Sequence, residues 1–135
     1  MKRLSFDKRF VNKTNDDLIS GKIHTIRQNY SFWKQFEGQE VALFTWEGKP
    51  YRRGSKQKIF CVKRIVNVQE TWLRIDDLPN GMRALWFFVK TLDDPIDMEI
   101  LSKNDGFRPP DRAADWFANY PLGKMAILHF SDFRY

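Results

Sequence analysis

Hydrophobic positions in this chain recur mainly at every second residue, the period of a half-buried strand rather than of a helix. Residues 2–6 (KRLSF) predict a short first strand, and residues 24–27 (HTIR) a second, with Thr25 and Arg27 on one face and His24 and Ile26 on the other. Residues 40–46 (EVALFTW) place Val41, Leu43 and Thr45 on one face, and the Glu47-Gly48-Lys49-Pro50 segment then turns the chain. Residues 58–68 (KIFCVKRIVNV) form a long β-rich run whose alternation slips at Arg64-Ile65-Val66, where a bulge would restore register. After the Asn80-Gly81 turn, residues 83–90 (RALWFFVK) read as an apolar strand, and residues 124–130 (KMAILHF) as a closing one.

Helical patterns are fewer. A helix is expected over about 13–20 with Gly21 as its stop, a helical turn over 31–36 ended by Gly38, and a helix over 95–103 opening on Pro95. Asn104-Asp105-Gly106 breaks that last helix. Residues 111–120 put Ala113, Ala114, Trp116, Phe117 and Tyr120 on one helical stripe, with Trp116 and Phe117 as core anchors. The element order predicts an α+β, mainly β fold: a small, curved mixed or antiparallel β-barrel with short flanking helices. At 135 residues, 42% hydrophobic, with 12 Phe, 5 Trp and 4 Tyr, the chain is expected to form a single domain over 1–135 with a substantial core.

Charge changes the picture more than composition does. Lys and Arg exceed Asp and Glu by 23 to 17, a net +6, which favours polyanionic partners. Residues 49–64 contain Lys49, Arg52, Arg53, Lys56, Lys58, Lys63 and Arg64 without one carboxylate. Flanked by Trp46 and Tyr51, this segment has cations for phosphates and rings for unstacked bases, with Arg52, Arg53, Lys56 and Lys58 tracking a backbone. A solvated hairpin tip is the plainer alternative.

Several chemistries lack their sequence support. There is no phosphate-binding glycine loop and no dinucleotide fingerprint, and the two histidines, His24 and His129, stand far apart in sequence, so no metal and no cofactor are expected. The single cysteine, Cys61, excludes an internal disulfide, lies in a β run where it reads as a small core residue, and suits a reducing cytoplasm. No signal-peptide pattern and no membrane-length apolar run stand out.

The segment Gly21-Lys22-Ile23-His24-Thr25-Ile26-Arg27 concentrates polar chemistry directly after the expected helix stop. Together with Leu18, with Glu99, with Asn104-Asp105-Gly106-Phe107 and with Trp116-Phe117, it resembles the ASCH domain family of the PUA-like superfamily, over about residues 5–130. The resemblance implies a PUA-like barrel with a cleft near the TIR strand that takes RNA or a nucleoside-type ligand. It extends to the branch of amidohydrolases acting on N4-acetylcytidine, placing Lys22 and Thr25 on that branch's lysine and threonine. Asp105 falls near its glutamate, one methylene shorter, and the basic 49–64 hairpin has no counterpart in the compact amidohydrolases.

Physical chemistry frames the choice. Threonine is a weak nucleophile until a base takes its proton, and a lysine serves if burial or nearby positive charge lowers its pKa. If Asp105 pairs with Lys22 instead, the amine stays protonated and becomes a binding group for an anion or a carbonyl. The expected function is therefore an RNA- or nucleoside-binding protein using Lys22, Thr25, Arg27 and Asp105. The alternatives are an amidohydrolase with Lys22 as base, Thr25 as nucleophile and Asp105 in proton transfer, a ribonuclease, and a purely structural module.

Overall fold

The computed structural model describes residues 1–107, 116, 117, 120 and 123–135. Among these, strands dominate. β1 (Arg3–Ser5), β5 (Glu40–Glu47) and β6 (Lys56–Arg64) form one sheet in the order β1-β5-β6, with β1 parallel to β5 and β6 antiparallel to it. β4 (His24–Gln28), β9 (Gly123–His129), β7 (Asn67–Asp77) and β8 (Arg83–Phe88) form an antiparallel sheet in the order β4-β9-β7-β8. β2 (Val11–Asn12) pairs with β3 (Asp17–Leu18), and α1 (Tyr30–Lys34) and α2 (Met98–Asn104) are short helices.

β9 shows why the closing run was so uniformly apolar. It lies between β4 and β7, and Met125, Ala126, Ile127, Leu128 and His129 are all buried. A strand covered on both faces needs no alternation. The core joins this strand to Leu4, Val41 and Leu43 from the other sheet, to Ile65, Val68 and Phe87, and to Leu101 from α2.

The two sheets meet where the sequence pattern slips. The long 58–68 run is two strands: β6 ends at Arg64, β7 begins at Asn67, and Ile65-Val66 crosses between the sheets. The backbone amide of Ile65 donates to Gln39 and that of Val66 to His129, so the crossing is bonded on both sides. The bulge itself lies at Phe60, between the Leu43–Cys61 and Phe44–Ile59 pairs. No ladder among the described residues joins the remaining sheet edges, so the sheets are not closed into the expected barrel, and the mainly β, α+β architecture stands without it.

The helix expected over 13–20 does not form. Asp7 caps a 3-10 turn, Lys8–Phe10, and the chain then folds back as the β2–β3 pair, Val11 opposite Leu18. Short polar side chains explain this: Asn12 Oδ1 accepts from the Thr14 amide at 3.0 Å, and Asp17 Oδ1 from that of Leu18 at 2.7 Å. Such local bonds compete with helical ones, and no apolar stripe favours the helix. The 31–36 turn is realised as α1, and the 95–103 helix as α2, which starts at Met98 and not at Pro95 because Asp97 caps it, its carboxylate accepting from the Glu99 and Ile100 amides. The 111–120 helix lies outside the described residues except for Trp116, Phe117 and Tyr120. Phe117 is fully buried, whereas Trp116 packs edge-on against Phe10 and remains partly exposed. No helix among the described residues is long and apolar enough to cross a membrane.

Candidate functional site

The site forms where the entry to β4 meets the end of α2. The Ile23 amide donates to the Asn104 carbonyl at 2.8 Å, stitching the two together. Lys22 precedes β4, and its ammonium reaches the backbone carbonyl of Asp105 at 2.6 Å and Asp105 Oδ1 at 3.3 Å. A helix C-terminus with a carboxylate beside it is a favourable place for a cation. The Lys22 stem runs beneath Gly106, and its Nζ lies 4.4 Å from the Phe10 ring centroid.

Gly106 cannot easily be another residue. Its φ is +88°, and an added Cβ would stand 3.0 to 3.2 Å from three carbons of Lys22. Gly106→Ala combines left-handed backbone with a contact that the pinned lysine cannot relieve, and should cost about 2–4 kcal/mol. Denaturant titration measures this, and a loss below about 1 kcal/mol would show that the lysine moves freely.

A directed chain of hydrogen bonds holds Asp105 from behind. Asn104 Nδ2 donates to the Tyr135 hydroxyl at 3.2 Å, so the hydroxyl proton is free for His24 Nε2, 2.6 Å away. His24 then carries its own proton on Nδ1 and donates it to Asp105 Oδ1 at 3.2 Å. Burial pushes the Tyr135 phenol well above its ordinary pKa, keeping it a donor. His129, far from His24 in sequence, is its cross-strand neighbour, with ring centroids 5.5 Å apart at 89°. Its Nε2 faces Gln69 Oε1 at 3.0 Å, while Nδ1 is buried without a partner.

Thr25 and Arg27 share a face of β4, as alternation required. Arg27 Nε donates to Thr25 Oγ1 at 3.4 Å, and a guanidinium nitrogen donates to the Ser5 carbonyl. Phe6, Phe10, Lys22, Thr25, Arg27 and Asp105 line one hollow of about 40 Å³, rimmed by Trp116 and Tyr120. This is room for a water molecule or the edge of a polar group. Burial pulls the pKa of both Lys22 and Arg27 below their ordinary values, and Asp105 pulls both back. No bond links Lys22 to Thr25: the amine is committed to Asp105, the arrangement that favours binding over base catalysis. Oδ2 of Asp105 takes no hydrogen bond from the described residues.

The basic hairpin divides between two faces. Trp46 lies opposite Gln57, whereas Lys58 lies opposite Thr45 and Lys56 opposite Glu47, so Trp46 and these lysines project from opposite sides of the ladder. Trp46 stacks with Phe44 and with the exposed Tyr51, whose ring centroid is 5.0 Å away. Arg52 and Arg53 are exposed in the turn. Lys63 and Arg64 are paired, with Asp17 at 2.8 Å and Glu40 at 3.8 Å. The single surface combining Trp46, Tyr51, Lys56 and Lys58 is therefore not formed, because partners across a ladder share a face and successive residues do not. Cys61 is half-buried, its thiol pushed up to about 11 by burial and by Asp17, which leaves it a poor nucleophile.

Sequence reasoning missed Phe6, Phe10, His24, Asn104 and Tyr135 as parts of the site. Alternation turned His24 away from Thr25, and nothing in the sequence ties Tyr135 to it. No family model, no curated protein and no solved structure matches this chain.

Proposed function

We propose that the hollow binds the polar edge of a nucleobase, in RNA or in a modified nucleoside, in a PUA-like protein of the ASCH type. The carrying observation is that Lys22, Thr25 and Arg27 from one segment and Asp105 from the far half of the chain line one hollow. The buried Lys22 and the half-buried Arg27 offer hydrogen bonds to a carbonyl oxygen, and Asp105 Oδ2 accepts from an exocyclic amine. That is the donor and acceptor pattern of a cytosine edge. The volume suits the edge alone, leaving the sugar at the rim near Trp116 and Tyr120. The amidohydrolase reading retains one supporting feature: Thr25 and a lysine with a burial-lowered pKa line the same hollow.

Thermal shift and calorimetry with cytidine, N4-acetylcytidine and a short single-stranded RNA test the proposal. At least one ligand should raise the melting temperature, because a ligand bound only by the folded state stabilises it. Thr25→Val keeps the shape, removes the hydroxyl and should weaken binding about 10-fold. If none of the three ligands binds, the reading fails. Release of acetate from N4-acetylcytidine, abolished in Thr25→Val, would establish the hydrolase instead.

A further inference from the structure

A second concavity lies beside the hollow, between the β2–β3 turn and the β5–β6 ladder. It measures about 380 Å³, a size suited to a small-molecule ligand. Lys8, Lys13 and Lys58 line it, with the half-buried ring of Phe60 on its wall. Thr45, 7% exposed, contributes a hydroxyl with no partner among the described residues. Lys58 is the cross-strand partner of Thr45, so an ammonium and a hydroxyl project side by side into the groove.

The lysines here have no ion pair among the described residues to compete with a ligand. Arg9, Lys34, Lys63 and Arg64 each have a carboxylate partner, whereas Lys8, Lys13 and Lys58 have none among the described residues. Asp16 and Glu47 also line the groove, leaving it positive by one charge. Free ammonium groups, a hydroxyl donor and a nearby ring suit a phosphate attached to an organic group, and the two carboxylates suit the hydroxyls of a sugar.

The groove and the hollow share a wall. Phe10 lines the hollow and Val11 the groove, while Phe6 in the hollow meets Phe60 in the groove edge-on, centroids 6.1 Å apart. We infer that this groove is a second binding site, for a phosphate group, next to the hollow. That one ligand fills both rests on the reading above, and the groove's affinity for phosphate does not. The phosphate belongs either to a small ester or to the backbone of a single-stranded nucleic acid.

The test is an amide NMR titration of the ¹⁵N-labelled protein at fixed ionic strength. The probes are pyrophosphate, cytidine, cytidine 5′-monophosphate and a single-stranded hexanucleotide. Val11, Thr45, Lys58 and Phe60 should shift with the phosphate-bearing probes and not with cytidine. Lys13→Gln/Lys58→Gln should raise their Kd about 10-fold or more. A monophosphate bound as tightly as the hexanucleotide identifies a small ester. A hexanucleotide bound about 100-fold more tightly, with log Kd rising about 0.7 per decade of salt for each contacted phosphate when the titration is repeated across a salt series, identifies a backbone. Absence of groove shifts with every phosphate-bearing probe, or shifts that the double variant leaves unchanged, overturns the inference. Thr25→Val separates the two proposals: it should weaken cytidine binding in the hollow about 10-fold and leave pyrophosphate shifts in the groove intact.

Discussion

Replacing Lys22 by methionine is expected to cost about 3–5 kcal/mol of stability, the largest loss for any single change at the site. The side chains of Lys22 and Asp105 are 1% and 4% exposed, so neither charge has water to fall back on. Methionine fills much of the lysine stem's space against Phe10, and packing therefore contributes little to the difference. What remains is a buried carboxylate with His24 Nδ1 as its side-chain donor. Adding Asp105→Asn in the same chain removes that charge and should recover more than half the loss, since each partner is harmful mainly without the other. Denaturant unfolding with unchanged m-values measures both variants. A Lys22→Met loss under about 1.5 kcal/mol would mean that water reaches the pair.

The second large effect is on pH dependence. Burial, aided by His24 and Arg134, brings the pKa of His129 down to about 3. In the unfolded chain the same imidazole titrates near 6.5. Between these values the unfolded state binds a proton that the folded state refuses, so stability falls as the pH drops below about 6.5 and is fully retained above it. By pH 5 the loss should reach about 1–2 kcal/mol from this group alone. The orphaned Nδ1 is the atom that would take the proton, and no acceptor faces it. His129→Leu removes the titration while Gln69 Oε1 keeps the Tyr135 amide at 3.3 Å, so the slope between pH 6.5 and 5 should flatten. An NMR titration of the His129 ring showing a midpoint above about 5.5 would contradict the assignment.

The legible parts of the molecule were those whose signals are local. β4, β5, β8, β9 and α2 follow from alternation, continuous apolar runs and a proline that opens a helix, and Lys22, Thr25 and Arg27 are read from one contiguous segment. β7 was passed over because Gln69, Glu70, Arg74 and Asp76 dilute its pattern, and its burial comes from a sheet that the segment cannot see. The 13–20 segment misled in the other direction, since its polar residues bond their own backbone instead of capping a helix. Asp105 was reached only through resemblance. The hollow takes Thr25 and Arg27 from one face of the strand and Lys22 from just before it, where alternation does not apply.

The bonded crossing at Ile65-Val66 also governs how the protein comes apart. Peeling β9 away breaks the Val66 amide bond to His129, and loosening the 38–39 turn breaks the two backbone bonds it shares with Ile65. Melting either layer therefore costs backbone bonds at the crossing, which favours a loss of order shared by both. A ligand held at the mouth of β4 therefore tightens the whole molecule rather than one end of it.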